Sequence, residues 1–524
     1  MIKKINIIYL INLFLTKYIF IKFFKKKFLT NNLETNFLNL NFENHEILKK
    51  NFLSKKYLKF NKALTNEYFF HSFDCLSAAK KIGGANSIKL SLKHIFFWNK
   101  INFSFFSFAW NIEIASKRVV NLLYYLDIYG QNLDKKEEKI LNTLINKHYY
   151  FIKSKINNTN EIDLSLNVTK SYLILSFIIG ENTKKITKKI IKQINSLIDN
   201  NGCHKSYNFS KQAEFINDLI EIKNIFLYFN DVNIEEINFQ IINMTSLLAN
   251  FFHKDNSIAL FNGSNNFNIK LINELINKTE NIKPKKLNNA KNGIVSYADR
   301  NKSLFFDITK PTNKTLNQNL HAGTLSFEFS YKDEKIITNC GSIEKRIGKK
   351  PEYLRFSAAH STIIVNNTNI SELIEKSSYK RAPKTIKFDS VQNDKNIFLE
   401  GSHDGYLKNF NIIVKRKIII SKISDEILGS DFILSMKNKF NKTMYDIRFH
   451  LVPNCKCLLT NDKKSVLIKT KNNRSWVFSA KSELYLENSV YIGDGKKIEQ
   501  NQQIVITKFL KNIKQTEEWS LKKI

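Results

Sequence analysis

Proline, glycine and cysteine are scarce in this 524-residue chain, which contains 5, 15 and 5 of them respectively. So little proline and glycine excludes collagen-like chains and the glycine-rich and proline-rich low-complexity classes. The cysteines are scattered, and the close pair Cys455 and Cys457 lacks the second cluster that a zinc finger needs. The hydrophobic content of 43% and the length predict a globular protein with two large or about three domains.

Acidic residues are also few: the chain contains 82 Lys and Arg residues but only 47 Asp and Glu residues, which gives a net charge of +35. A positive field of this size attracts nucleic acid, anionic lipid or acidic polysaccharide without distinguishing among them. No helix-turn-helix, zinc-finger or RNP-type motif accompanies the charge, so nucleic acid is not the predicted partner.

The first thirty residues contain seven lysines and no acidic residue, around the uncharged run Ile5–Thr16. This run is too short to span a bilayer, and no later segment reaches that length without charges, so we predict no transmembrane span. The segment is similar to the start of a secretory signal, but no small-x-small cleavage site follows it. The alternative interpretation is a basic amphipathic helix that lies on a membrane surface. We expect a cell-envelope or periplasmic protein, with a cytoplasmic location as the other interpretation.

Proline is absent before residue 284, which favours helices because an interior proline costs a helix about 3 kcal/mol. Hydrophobic residues recur at helical spacing in this stretch, for example from Ile186 to Ile198. We therefore predict an all-α domain of antiparallel helices over residues 31–283, after the basic segment 1–30.

The hydrophobic period changes to two beyond about Leu287, in runs such as TLSFEFSY, NIIVKRKIIIS and SWVFSA. Many such runs in succession predict an antiparallel β-sandwich over residues 288–524. Helices and strands in separate blocks indicate two domains with separate cores, divided between Asn277 and Ala290, rather than one interleaved sheet.

Four histidines fall in the β half, three of them at strand ends or turns: His321 before LSFEFS, His360 before STIIVNN, and His403 in SHDGY. Polar side chains at strand ends are where a rigid sheet presents a functional site. For each histidine alone, a hydrogen-bonded turn residue is the alternative interpretation.

These motifs carry a family resemblance. The strings HAGTLSFEFSYKDEKIITNCGS, RFSAAHSTIIVNN and GSHDGY resemble the C-terminal module of heparinase II/III-type polysaccharide lyases. The α half is similar to a bacterial subgroup of the same proteins in HSFDCLSAAKKIG, AWNIEIASKR, QAEFINDLIEIKN and SIALFNGS. The resemblance covers roughly residues 60–480, in the order of the family.

The resemblance implies an incomplete α/α toroid followed by antiparallel sheets, and cleavage of acidic, uronic-acid-containing glycans such as glycosaminoglycans by β-elimination. That reaction requires neutralisation of the C5 carboxylate, a base for the C5 proton and an acid for the leaving O4. In the family an amide, His, Arg or a metal neutralises the carboxylate, and Tyr or His serves as acid and base.

By the same resemblance, His321 is the first catalytic candidate and Asn208 the carboxylate-neutralising amide. His204 and Tyr207 lie beside Asn208 in sequence, and Tyr297 is a further candidate, with core or turn packing as its alternative role.

Phe209 and Phe267 stand where many lyases carry a catalytic His or Tyr, and Tyr406 in SHDGY is another hydroxyl, with turn packing as its alternative role. For substrate binding we predict Arg118, Trp110 and His403; a structural ion pair is the alternative for Arg118.

Several relatives also bind a structural metal, through positions that here are His321, Asn339 and His360. Asn339 replaces a carboxylate, and Gly323 stands where many members have Asp. An amide is a weaker zinc ligand, so structural zinc is the less favoured interpretation of this trio.

Three functions follow from these observations. The first is a lyase that acts on an acidic polysaccharide. The second is a glycan-binding or cell-envelope protein that kept the fold and lost the base. The third is a basic protein that binds nucleic acid or anionic membrane. We predict the first, which alone would form an unsaturated uronate.

Overall fold

The structure is a computed structural model, and the residues it describes are 68–524 without the segments 77–78, 80–82, 103–104, 106, 131–132, 160–163, 230–232, 283, 285–286, 289, 291, 312–319, 345–350, 374–378 and 438–442. The predicted N-terminal segment 1–30 lies outside the described residues. None of the helices in the described ranges has both the length and the apolar character needed to cross a bilayer.

The chain forms helices first and strands afterwards. Its described helices are α1 (Tyr68–Ser72), α2 (Gly84–Ile101), α3 (Ile112–Tyr129), α4 (Lys135–Asn157), α5 (Leu166–Ile179), α6 (Lys184–Leu197), α7 (Phe209–Phe229), α8 (Ile234–Leu248), α9 (Ile269–Lys278) and the short α10 (Leu407–Phe410). The last helix before the strands ends at Lys278, and the first strand begins at Leu287. The division into two domains between Asn277 and Ala290 stays a prediction.

Local sequence signals set several helix ends. Asn111 begins α3, where its side chain accepts a hydrogen bond from the Glu113 N–H at 3.0 Å. Asp134 and Glu137 form a reciprocal capping box at the start of α4. Gly180 ends α5 with a φ of 79°, which a residue without a Cβ adopts at little cost.

The strands form two large antiparallel sheets. The strands are β1 (Leu287–Asn288), β2 (Ile294–Ala298), β3 (Lys302–Asp307), β4 (Phe327–Tyr331), β5 (Glu334–Thr338), β6 (Ile363–Val365), β7 (Glu372–Leu373), β8 (Tyr379–Arg381), β9 (Ile386–Gln392), β10 (Asn396–Tyr406), β11 (Ile412–Ser421), β12 (Glu426–Ser435), β13 (Met444–Leu451), β14 (Lys456–Leu459), β15 (Ser465–Lys469), β16 (Ser475–Ala480), β17 (Tyr485–Tyr491), β18 (Glu499–Phe509) and β19 (Lys514–Lys523). The first sheet has the order β1-β2-β3-β4-β5-β13-β18-β17, with β6 also paired to β13, and the second has the order β14-β15-β16-β19-β12-β11-β10-β9.

The two sheets share one hydrophobic core. Phe327 of the first sheet stacks on Trp519 of the second at 5.5 Å between ring centroids. Residues along β11 are alternately buried and half-buried, as expected for a strand with one face in a core. Helices followed by antiparallel sheets confirm the predicted fold class, while the toroidal closure of the helices stays a prediction.

The chain divides into two compact units, and the boundaries between these units do not lie where helices give way to strands. In the described part, one unit comprises the helices up to Asp199 and residues Glu214–Ile241; the other comprises Asn200–Ala213 and Ile242–Ile524. The segment 200–213 and the region from 242 to α9 thus belong to the unit that contains both sheets.

A buried arginine joins the second sheet to the loops that carry the candidate histidines. Arg416 on β11 is fully buried and forms two hydrogen bonds with Asp431, at 2.6 and 2.9 Å. Its Nη1 also donates to the Leu325 carbonyl at 3.0 Å and to the Ser361 carbonyl at 2.7 Å. The guanidinium therefore holds in place a backbone position close to His321 and the residue that follows His360.

Arg416→Met should lower the free energy of unfolding by ~3–5 kcal/mol, because it leaves the Asp431 carboxylate buried and unpaired. Chemical denaturation with circular dichroism measures this loss. Lys415→Met is the matched control, since Lys415 precedes Arg416 on the opposite face and its ion pair with Glu400 is partly exposed. That pair should contribute at most ~1 kcal/mol. Equal losses in both variants would contradict this assignment.

Candidate active site

Asn262 connects three of the predicted site residues. Its side-chain oxygen accepts the His321 backbone N–H at 3.0 Å, and its side-chain nitrogen donates to the Tyr207 carbonyl at 3.3 Å. Its own carbonyl accepts a hydrogen bond from the Asn208 amide at 2.9 Å. Asn262 is buried and has a φ of 51°, a left-handed conformation that Asn tolerates better than most residues. His321, Asn208 and Tyr207 therefore meet around one residue of the second unit.

His321 forms a direct hydrogen bond with the other predicted histidine. Its Nδ1 lies 3.1 Å from Nε2 of His360, and the two rings are nearly perpendicular at 84°. His360 Nδ1 lies 2.8 Å from the Phe356 carbonyl oxygen. Burial lowers the pKa of His360 to about 4, so its imidazole is neutral at pH 7. The structure thus brings together two histidines that are 39 residues apart in the sequence.

Asn208 lies at the beginning of α7 and has a structural task there. Its Oδ1 accepts the Lys211 N–H at 2.9 Å, as an N-cap residue does. One N–H of the amide donates to Asn262, as described above. The next residue, Phe209, is fully buried and stacks on Phe251 at 4.1 Å, so it contributes packing rather than a polar group.

The two other candidates of this segment, Tyr207 and His204, differ in their chemistry. Tyr207 has a φ of 49°, and its hydroxyl accepts a hydrogen bond from the Asn292 side chain at 2.7 Å. Its ring lies against Gly293, where an added Cβ would be 2.6 Å from it. His204 is buried, and this burial, with nearby Lys211, lowers its pKa to about 3. A neutral imidazole of this kind is a poor proton donor.

Tyr297, His403 and Tyr406 make local contacts within the sandwich. The Tyr297 hydroxyl donates to Asp299 at 2.7 Å, and burial raises the pKa of Tyr297. His403 accepts the Gly405 N–H at 3.1 Å, and burial lowers the pKa of His403 to about 4. The Tyr406 hydroxyl bonds to two backbone carbonyls, at 3.2 and 3.1 Å. These contacts are those of turn and core residues, and none of them joins the cluster at Asn262.

Arg118 and Trp110 lie together in the first unit, but the guanidinium is fully buried. Arg118 lies over the rings of Trp98 and Trp110, at 3.9 and 5.0 Å from their centroids. It donates to His148 Nε2 at 2.8 Å and to two backbone carbonyls. Its hydrogen bonds are therefore to neutral acceptors rather than to the carboxylate of an ion pair. Substrate binding by Arg118 stays a prediction, and it would require this aromatic cluster to open.

The predicted metal ligands do not form a suitable donor set. His321 Nδ1 and His360 Nε2 are joined in a hydrogen bond with each other. Asn339 Oδ1 accepts the Ser361 N–H at 3.0 Å. Among the described residues, Asn339 Nδ2 is buried without a hydrogen-bond partner, and an N–H group cannot ligate a cation. In the same residues, no group of three His, Cys, Asp or Glu side chains is placed to hold a metal ion. We therefore derive no role for zinc here.

Sequence reasoning missed two polar residues of this region. Asn262 stands in the family-like string SIALFNGS, where the Asn-Gly pair signals a turn but not a hub of hydrogen bonds. Asp307, at the end of β3, is buried, and its backbone carbonyl accepts the Leu325 N–H at 2.8 Å. Burial raises the pKa of Asp307 to about 7, although its carboxylate accepts the Thr309 N–H.

Gly323→Ala should destabilise the protein by ~1–3 kcal/mol through a clash with a ring. An added Cβ at this position would lie 2.7 Å from His360 Cδ2. The matched control is the same substitution in a His360→Ala background, where the clash is absent and the cost should be much smaller. Thermal or chemical unfolding of the wild type, the two single variants and the double variant measures the coupling between the two positions. If the two losses of stability simply add, the contact between Gly323 and the His360 ring is contradicted.

Asp307→Asn should stabilise the protein increasingly as the pH rises. The folded state keeps a proton on Asp307 up to about pH 7, whereas the unfolded chain releases it near the ordinary pKa of 3.8. The free energy of unfolding of the wild type therefore falls as the pH rises between these values. The difference in this free energy between the variant and the wild type should grow by roughly 2–3 kcal/mol, in favour of the variant, from pH 5 to pH 8.

Unfolding in denaturant at several pH values measures this difference. Asp462→Asn is the control, because hydrogen bonds from Thr460 and Lys464 hold the pKa of that exposed carboxyl below its ordinary value. It should show no such gain. A pH-independent effect of Asp307→Asn would contradict the prediction.

Comparisons with known proteins agree with this architecture. Residues 284–520 match the family model of the heparinase II/III-like C-terminal domain. The crystal structure of heparinase III superposes with a TM-score of 0.70 at 12% identity, over 94% of this chain and 87% of that one. The heparan sulfate lyase HepC from Pedobacter heparinus gives a TM-score of 0.61 at 12% identity, over 97% of this chain and 88% of that one. At such identities the likeness shows the fold.

A protein with a different kind of name also aligns with most of the chain. The FtsZ-localized protein C of Caulobacter vibrioides is 20% identical in an alignment 423 residues long, which covers 78% of this chain and 73% of that protein. The domain match and the shared fold lead to one assignment: residues 284–520 are a heparinase II/III-like C-terminal domain, in a chain that has the fold of heparinase III.

Proposed function

We propose that the protein is a polysaccharide lyase that cleaves a uronic-acid-containing glycan by β-elimination. The observation that supports it best is the cluster at Asn262, which joins His321 to Asn208 and Tyr207. These three residues supply an imidazole, an amide and a phenol, the group types that this reaction requires. A location in the cell envelope stays a prediction.

Each residue of the cluster has a chemical task in this proposal. The Asn208 amide has two N–H groups, and the one that does not donate to Asn262 would bind the C5 carboxylate of the uronate. The His321 imidazole would remove the C5 proton. The electron pair then forms the C4–C5 double bond as the bond between C4 and O4 breaks.

The departing O4 needs a proton, and Tyr207 suits this step better than His204. A phenol can accept and donate at once, so the hydrogen bond that Tyr207 accepts from Asn292 is compatible with proton transfer to O4. His204 is neutral because burial lowers its pKa to about 3, so it has no acidic proton at pH 7.

A second candidate function is glycan binding without cleavage. It is favoured by the buried, stacked Phe209, which gives neither imidazole nor hydroxyl at a position where many lyases have a catalytic group. The relative named for its localisation with FtsZ, rather than for an activity, agrees with a non-catalytic role.

His321→Ala and Asn208→Ala should each lower turnover by ~10²–10⁴-fold, because each removes a group that acts in the transition state. The measurement is the ultraviolet absorbance of the unsaturated uronate, with heparan sulfate, chondroitin, alginate and bacterial capsular uronans as substrates. Binding of the same glycan should weaken much less.

His94→Gln is the matched control, since His94 is a buried, neutral histidine of the first unit. It should leave turnover unchanged. Full activity in both site variants would remove these residues from the mechanism. Saturable glycan binding by the wild type without any unsaturated product would favour the second function.

A further inference from the structure

The hydrogen bonds around His360 have a direction that the structure determines. The Phe356 carbonyl only accepts, so the proton between it and His360 belongs to His360 Nδ1. In the described residues no carboxylate bonds to this fully buried ring, and a buried imidazole without such a partner is neutral. His360 Nε2 therefore carries a lone pair.

The hydrogen bond between His360 and His321 has a defined donor as well. Because His360 Nε2 accepts, the proton in the 3.1 Å contact must belong to His321 Nδ1. The second nitrogen of a neutral His321, Nε2, then carries the lone pair. A chain of two hydrogen bonds thus sets which nitrogen of His321 is basic.

The backbone on both sides of this pair is fixed. The His321 N–H bonds to Asn262, and the Ser361 N–H bonds to Asn339 Oδ1 at 3.0 Å. The Ser357 hydroxyl donates to the Ala322 carbonyl at 2.7 Å, which ties the segment before His360 to the residue after His321.

Gly323 completes the fit, because an added Cβ would lie 2.7 Å from the His360 ring. The absence of a side chain at Gly323 therefore allows the close approach of the two imidazoles. An aspartate at this position would displace the His360 ring.

We propose that His360 is a positioning residue that holds His321, through a direct and metal-free hydrogen bond, in the tautomer with its basic nitrogen at Nε2. The catalytic part of this inference rests on the proposed function, in which His321 removes the C5 proton. The structural part does not, because a proton shared between the two nitrogens excludes a metal ion bound to both, whatever the activity.

Long-range ¹H–¹⁵N correlation spectra of the full chain, labelled with ¹⁵N-histidine, test the tautomer. The His321 and His360 signals are assigned from the variants His321→Gln and His360→Gln. Both residues should show a protonated Nδ1 and an unprotonated Nε2 at pH 7. The opposite tautomer for His321, or stoichiometric zinc in protein purified without chelator, would overturn the proposal.

Kinetics test the positioning role. His360→Phe removes the acceptor and should lower kcat by roughly 10²-fold, with a smaller change in KM, because part of the His321 population then has its proton on the wrong nitrogen. His360→Gln keeps an acceptor oxygen and should retain more turnover than the Phe variant. Equal kcat values in folded variants, checked by thermal unfolding, would overturn this role.

The two proposals can fail separately. If the wild type forms no unsaturated product with any glycan, the proposed lyase function fails, and the spectra and the metal content still decide the tautomer. If the spectra show the other tautomer while the wild type cleaves glycan, the positioning role fails and the lyase function stands.

Discussion

The buried carboxylate of Glu328 is the constraint on which the polar residues of the second unit depend. One oxygen accepts hydrogen bonds from His253, at 2.8 Å, and from the Leu260 N–H; the other accepts the Asn339 N–H. Burial opposes ionisation, but His253, the charge of Lys335 and the Leu260 N–H hold the pKa of Glu328 below its ordinary value. An unsatisfied charge there would cost several kcal/mol, so the loop that leads to Asn262 must stay against the sheet.

Glu328 and Arg416 together explain how irregular loops hold a defined geometry. Backbone groups of a loop need hydrogen-bond partners once they are buried. Glu328, on a regular strand, provides them for the loop before Asn262, and Arg416 provides them at Leu325 and Ser361. The residues near both histidines are therefore anchored to strands, which position side chains more precisely than loops do.

The departures from the family pattern are consistent with one another. Asn339 brings no charge, and Gly323 leaves room for a ring, so the two histidines can approach and share a proton instead of a metal ion. Phe209 stacks on Phe251 rather than presenting a polar group. In the proposed reaction, proton transfer is thus left to the residues around Asn262.

The sequence by itself determined the order of helices and strands, the heparinase II/III-like character of the C-terminal domain, and the placement of His321 and His360 in segments that precede strands, because these depend on local periodicity and short motifs. Tertiary structure alone decided that Asn262 joins residues 54 to 59 positions away, and that Arg118 is enclosed by aromatic rings. Hydrogen bonds between distant segments have no periodic signature, and the burial of a charge depends on which side chains surround it. The tautomer of His321 follows from the Phe356 carbonyl, whose position only the folded chain defines.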